Sequence, residues 1–177
     1  MLTFLLGGAR SGKSALAIEI ASRSGRDVTY VATSPTIPGD DDLANRIARH
    51  RAERPPAWTT IEEQLDIAAA LARVATPVVI LDCLTVWVGN MLHHGHDERR
   101  ILDAGDGAIA AVTDRELETV VVSNEVGLGI VPANELARDY RDMLGRVNQR
   151  WVATADRALL MVAGRALPLH APHELLQ

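Results

Sequence analysis

Cysteine is almost missing from this chain: Cys83 stands alone among 177 residues. An internal disulfide is therefore impossible, and a reducing compartment fits. Cys83 lies in an apolar run, where a thiol packs rather than reacts. No apolar stretch approaches the ~18–20 residues that a membrane helix requires, so no membrane insertion is expected. A secretory leader is not seen either: the N-terminus runs straight into an apolar strand, without a basic region or cleavage site. The expectation is a soluble, cytoplasmic protein. Basic excess is lacking as well. Eighteen Lys and Arg against 23 Asp and Glu give a formal net charge of −5, which argues against nucleic acid as a partner. Repeats, linkers and low-complexity segments are not found, and one domain over residues 1–177 is expected.

What is present begins at Gly7-Gly8-Ala9-Arg10-Ser11-Gly12-Lys13-Ser14, which fits G-x-x-x-x-G-K-[ST]. The context matches the pattern. Leu2–Leu6 reads as a buried strand, and Ala15, Leu16, Ile18, Ile20 and Ala21 read as the start of a helix. In such a loop, glycines let successive N–H groups surround a phosphate, and the helix N-terminus adds a field that favours anions. Lys13 would reach the β- and γ-phosphates. The Ser14 hydroxyl would help to hold Mg²⁺.

Strands and helices alternate along the rest of the chain. Strands are expected at Val28–Ala32, Trp58–Ile61, Val78–Leu81, Val120–Ser123 and Leu159–Val162. Helices are expected at Lys13–Ser24, Leu43–Glu53, Leu65–Val74, Leu84–Leu92, Arg99–Val112 and Asn134–Asp156. Asp40 to Asp42 form a loop and helix cap, Gly105 and Gly107 weaken the helix that contains them, and Gly164 to the end reads as a hairpin or tail. Apolar strands without clean alternation, separated by helices, predict an α/β fold of P-loop NTPase type. Its central sheet is mostly parallel and carries helices on both faces.

Three further groups of residues bear on chemistry. Val78-Val79-Ile80-Leu81-Asp82 ends in an aspartate at a strand's carboxyl end, where ligands gather in open α/β sheets. Asp82 reads as a metal carboxylate, as a cap for the helix from Leu84, or as both. Arg46, Arg49, Arg51 and Arg54 surround His50. Arg46 and His50 share a helix face, which Arg54 continues if the helix lasts that long. A neutral imidazole there could attack phosphorus while arginines bind the phosphates; a solvated helix face is the alternative. Ser123-Asn124-Glu125-Val126-Gly127 reads either as a site loop or as a plain connection. It is not the N-K-x-D signature of switch GTPases, which occurs nowhere in the chain. His93, His94 and His96 read as a solvated loop rather than a metal site.

In this order the motifs resemble the bifunctional adenosylcobinamide kinase / adenosylcobinamide-phosphate guanylyltransferase family. The resemblance rests on Gly7–Ser14, Ala32-Thr33-Ser34, Arg46-Ile47-x-x-His50-Arg51, Trp58–Glu62, Asn124–Pro132 and Gly145–Arg150. It implies phosphorylation of adenosylcobinamide by ATP or GTP, then transfer of GMP from GTP to adenosylcobinamide phosphate, with pyrophosphate released. It also implies a guanylylated histidine, matching His50 as the nucleophile, with Lys13 as the second catalytic residue. Nucleotide contacts carry over to Gly7, Gly8, Ala9, Arg10, Ser11, Gly12, Lys13, Ser14, Thr33, Ser34, Arg51, Ala52, Glu53, Arg54, Glu62 and Asp82. The metal ligands would be Ser14 and Asp82. The family often has glutamate where this chain has Asp82, and the shorter side chain favours a contact through water. A homotrimer with active sites near subunit interfaces is implied too.

Overall fold

The computed structural model describes residues 1–35, 39, 41–115 and 117–176, without the side chains of Leu43 and Arg46. Asp40, expected within the cap of the second helix, lies outside the described residues. In chain order the elements are β1 (Leu2–Gly7), α1 (Lys13–Arg23), β2 (Val28–Ala32), α2 (Asp41–Ala52), β3 (Thr59–Glu62), α3 (Ile67–Ala72), β4 (Val78–Asp82), α4 (Leu84–His93), α5 (Glu98–Thr113), β5 (Glu118–Val122), α6 (Glu135–Thr154), β6 (Arg157–Val162) and β7 (Arg165–Leu169). One 3₁₀ turn, Pro172–Leu176, follows.

The strands form one sheet in the order β3-β2-β4-β5-β1-β6-β7. Every pairing is parallel except β6 with β7. Alternate residues of each strand point to opposite faces. Phe4, Val79, Leu81 and Val121 meet residues of α3, α4, α5 and α6. On the other face, Leu5, Val78, Ile80 and Val120 meet Ala17 and Ala21 of α1. Both faces are covered, which is why the central strands read as unbroken apolar runs.

The largest departures from the expected boundaries have local causes. The α3 helix begins at Ile67 rather than Leu65, because Asp66 caps it by accepting from the Ala69 N–H at 2.9 Å. Its partner α5 runs unbroken through both glycines. A Cβ at Gly105 would sit 3.7 Å from the Trp87 ring, and one at Gly107 would sit 3.7 Å from Ala68. Close approach of neighbouring elements thus offsets the low helix propensity of glycine. Of the hairpin or tail expected after Gly164, the hairpin forms, turned by Ala163 and Gly164 with φ of 49° and 74°. Two consecutive left-handed residues make the tight turn that matches the twist of paired strands.

Trp87 is fully buried between α3, α5 and the sheet, and its Nε1–H donates to the Leu65 carbonyl at 2.8 Å. Trp87→Ala should cost about 3–5 kcal/mol through lost burial and the cavity left behind. Urea unfolding should show a lower midpoint with an unchanged slope.

Candidate active site

β1 ends at Gly7, and the chain then wraps back to α1. A Cβ at Gly7, whose φ is 153°, would stand 2.3 Å from the Met161 carbonyl oxygen, so only glycine fits against β6. Gly12 occupies the N-cap of α1 at φ 98° and offers no side-chain cap. The first N–H groups of α1 are therefore not claimed by a capping side chain and are available to an anion. The β6–β7 turn braces the loop from outside: Gly164 N–H donates to the Ser11 carbonyl at 3.0 Å.

Lys13 is 7% exposed. Its Nζ donates to the carbonyls of Gly7 at 2.9 Å and Gly8 at 2.7 Å, and to Ser11 Oγ at 3.3 Å. Burial holds the Lys13 ammonium below the usual lysine value, opposed by Cys83 and Asp82 alongside. Among the other loop positions, Ser11 is buried, Ser14 is half-buried, and Gly8, Ala9 and Arg10 are exposed.

Strand register sets the rest of the site. Glu62, Ala32, Asp82, Val122 and Leu5 lie side by side across β3, β2, β4, β5 and β1. Asp82 and Glu62, far from the loop in sequence, thereby reach the edge from which the loop springs. The Tyr30 hydroxyl donates to Asp82 Oδ2. Burial, and then Asp82 itself, push the phenol well above its usual range, so Tyr30 stays a proton donor. The Arg54 guanidinium lies 3.6 Å above the Tyr30 ring. Asp82 does not cap α4. Its N-cap is Cys83, which makes no side-chain capping bond, and burial pushes that thiol up to about 12.

Thr33, placed among the nucleotide contacts by resemblance, is fully buried with every polar atom engaged inside the protein. Its hydroxyl accepts from Cys83 N–H at 2.9 Å and donates to the Cys83 carbonyl at 2.8 Å. Its own N–H donates to the Asp82 carbonyl at 3.2 Å, and its carbonyl accepts from Asn90 Nδ2 at 2.9 Å. Thr33 therefore holds the backbone that follows Asp82. Its neighbour Ser34 is half-buried, two residues past the end of β2.

The helix carrying His50 is held differently. None of the described α2 side chains is buried. His50 is 42% exposed, and its Nδ1 lies 3.5 Å from Glu53 Oε2. Arg51 pairs with Glu62, which ties α2 to the end of β3. The helix stops at Ala52, so Arg54 does not continue the His50 face. It leaves the helix axis and covers Tyr30 instead. His93 falls inside α4, His94 Nδ1 bonds to the Asn90 carbonyl at 2.9 Å, and no metal-holding group of His, Cys, Asp or Glu occurs among the described residues.

Ser123-Asn124-Glu125 closes against the P-loop, since Glu125 N–H donates to the Gly7 carbonyl at 3.2 Å. Asn148 of α6 accepts from Ser123 Oγ at 2.6 Å and donates to the Asn124 carbonyl at 3.1 Å. Thr85 Oγ accepts from Asn124 N–H at 2.7 Å. Tyr30, Thr85, Asn90 and Asn148 were not legible as site residues from the pattern. A polar Asn90 inside the apolar α4 run, and Asn148 inside Gly145–Arg150, were the available signals.

Residues 3–169 match the family described as cobinamide kinase / cobinamide phosphate guanyltransferase. The chain belongs to this family. It is 40% identical over 171 residues to the bifunctional adenosylcobalamin biosynthesis protein CobP of Pseudomonas aeruginosa, covering 96% of this chain and 97% of that one. It is 39% identical over 178 residues to the corresponding protein CobU of Salmonella typhimurium, covering 93% of this chain and 97% of the relative. The RadB recombinase structure superposes with a TM-score of 0.51 over 90% of this chain and 73% of that one, at 15% identity, which speaks to the fold alone. The protein is an enzyme of a cobalamin-biosynthetic kinase and guanylyltransferase family, built on a P-loop nucleotide-binding fold. Among the described residues no helix is long and apolar enough to cross a membrane.

Thr33→Val keeps the shape but removes both bonds to Cys83. Leaving that backbone unpaired should cost about 1–3 kcal/mol, read as a lower unfolding midpoint. Thr33→Ser should retain most of the stability, and an unaffected Thr33→Val protein would show that the bonds do not hold the turn.

Proposed function

We propose that one nucleotide site serves two reactions in cobalamin biosynthesis: phosphorylation of adenosylcobinamide by ATP or GTP, and guanylylation of adenosylcobinamide phosphate by GTP through His50. The observation that carries this reading is the Arg51–Glu62 ion pair. It attaches the helix of an accessible histidine to the row of strand ends beside the P-loop.

In the kinase step the P-loop N–H groups and Lys13 bind the triphosphate. Lys13 exchanges its bonds to the Gly7 and Gly8 carbonyls for phosphate oxygens and follows the charge as the γ-phosphoryl leaves. The donor set fits Mg²⁺, a hard cation usually held by one or two carboxylates with substrate phosphates. Only one oxygen of Asp82 is engaged by Tyr30, and Ser14 stands in the first turn of α1 next to Lys13, whose ammonium feels the Asp82 charge. Ser14 and Asp82 would hold Mg²⁺, which would offset charge on the transferred phosphates. In the second reaction His50 attacks the α-phosphorus. A P–N bond forms, the α–β bridging P–O bond breaks, and pyrophosphate leaves. The acceptor phosphate then displaces histidine from phosphorus. Arg51, Arg54 and Glu53 surround the end of α2, where the arginines would neutralise phosphate charge and Glu53 would orient the imidazole.

The two steps need different phosphorus atoms presented to different nucleophiles. Because α2 buries no described side chain, repositioning α2 costs far less packing than moving the P-loop. A trimer also belongs to this reading. Leu128 at 84% exposure and Ile130 at 97% support self-association.

His50→Ala should abolish guanylyl transfer while leaving measurable kinase turnover. Incubation with GTP and Mg²⁺ followed by intact mass measurement should give an acid-labile, base-stable GMP adduct on the native protein and none on the variant. An adduct persisting in His50→Ala would move the nucleophile elsewhere. Lys13→Ala should lower both activities at least 100-fold, and near-normal turnover would remove the lysine from the chemistry. Asp82→Asn should fold normally but need more Mg²⁺ for half-maximal rate.

A further inference from the structure

Beside the P-loop, on the α6 side, lies an open cleft of about 340 Å³ lined in part by Glu125, Gly127, Arg141, Arg146 and Asn148. We propose that this cleft is the acceptor subsite for both reactions. It would take the hydroxyl-bearing tail of the substrate first, and the phosphate monoester made from it second. The inference rests on the two-step reading above and names where the acceptor binds.

Position is the first argument. The Gly7 carbonyl oxygen accepts both from Lys13 Nζ, at 2.9 Å, and from Glu125 N–H, at 3.2 Å. The phosphate-binding lysine and the cleft wall thus meet at one atom, so an acceptor in the cleft borders the phosphates held by the loop. Construction is the second. Glu125 is fixed from several sides: Asn148 clamps Ser123 and Asn124, Thr85 holds Asn124 N–H, and Glu125 Oε1 accepts from Gly127 N–H. A Cβ at Gly127 would come within 2.8 Å of that oxygen, so glycine is what permits the clamp. The other carboxylate oxygen has no partner among the described residues. A carboxylate held this way, next to bound phosphates, is built to accept a proton from an alcohol.

Charge is the third argument. Arg141 is 22% exposed and bonds to Asp142, which also lines the cleft, while Arg146 pairs with Glu98 at the start of α5, so an anion would share both guanidinium groups with carboxylates already on them. Guanidinium groups at the cleft suit a dianionic phosphate monoester. The volume sits at the low end of small-ligand sites, about 300–1,000 Å³, so it fits a reacting tail rather than a whole macrocycle. In the first reaction the alcohol oxygen bonds to the γ-phosphorus as the β–γ bridging P–O bond breaks. The hydroxyl proton passes to Glu125, and the nucleoside diphosphate departs. In the second, the new phosphate stays on the arginines and attacks the guanylyl group that α2 carries in.

The test separates nucleotide chemistry from acceptor chemistry. Glu125→Gln and the double variant Arg141→Ala/Arg146→Ala are each given GTP and Mg²⁺ alone, and adduct formation is measured by intact mass. They are then assayed with adenosylcobinamide and with adenosylcobinamide phosphate. The expected result is an adduct of native stoichiometry in both, which also reports a folded nucleotide site. Glu125→Gln should lose at least 100-fold in kcat of the kinase step, with KM for adenosylcobinamide within threefold. The arginine double variant should raise KM for adenosylcobinamide phosphate at least tenfold. Native KM and kcat alongside normal adduct formation would overturn the proposal. Adduct formation and acceptor use falling together would also overturn it, since the cleft would then serve the nucleotide or the fold. A native protein that never forms the adduct would instead defeat the histidine mechanism.

Discussion

Everything near the candidate site hangs on the backbone of Gly7. Its missing Cβ lets β1 close on the Met161 carbonyl of β6, and its carbonyl oxygen takes hydrogen bonds from Lys13 and from Glu125. One residue thereby joins the phosphate loop, the sheet edge toward β6 and the loop after β5. Any side chain there would separate β1 from β6 and shift both partners of the carbonyl. The β6–β7 turn adds a second brace through Gly164 N–H and the Ser11 carbonyl. The loop is held from both sides, which keeps its N–H groups oriented before a ligand arrives.

A second layer of buried polar contacts does for Asp82 what Gly7 does for the loop. Thr33 grips both backbone groups of Cys83, Asn90 grips Thr33 and the Gln64 carbonyl, and Tyr30 supports the carboxylate from below. These groups are shielded from water, so each unmade bond would carry a desolvation cost. A fully satisfied network of this kind restricts the end of β4 to one arrangement.

Against this rigid centre stands α2. It is tethered by the exposed Arg51–Glu62 pair and by Arg54 on Tyr30, and none of its described side chains is buried. An exposed ion pair contributes little to stability. The accessible His50 on a weakly tethered helix, set against a rigid P-loop, is the arrangement on which the proposed two-step chemistry relies. The opposite wall, from Glu125 to Arg146, is locked by Asn148 and suits a substrate that stays in place.

Local sequence was sufficient wherever the physics is local. The P-loop needs glycine, lysine and serine at fixed spacing, so Gly7–Ser14 was legible at once, as were the apolar strands and their parallel pairing. The roles of distant residues were not. Asp82 was legible from the apolar run that it ends, but Glu62 reaches the same sheet edge only because strand register lines it up with Ala32 and Asp82, and nothing in its own neighbourhood says so. Arg54 was legible as a charge but not as a cover for Tyr30, because the helix ends two residues before it. Gly105 and Gly107 read as weak points of their helix until Trp87 and Ala68 arrive against them. Asn148 and Ser123 are twenty-five residues apart, and their bond exists because α6 packs against β1, the strand paired with β5. Spacing along a chain encodes contacts within a turn or two of backbone. Contacts between layers depend on how the sheet is ordered and covered, and there only the folded chain decides.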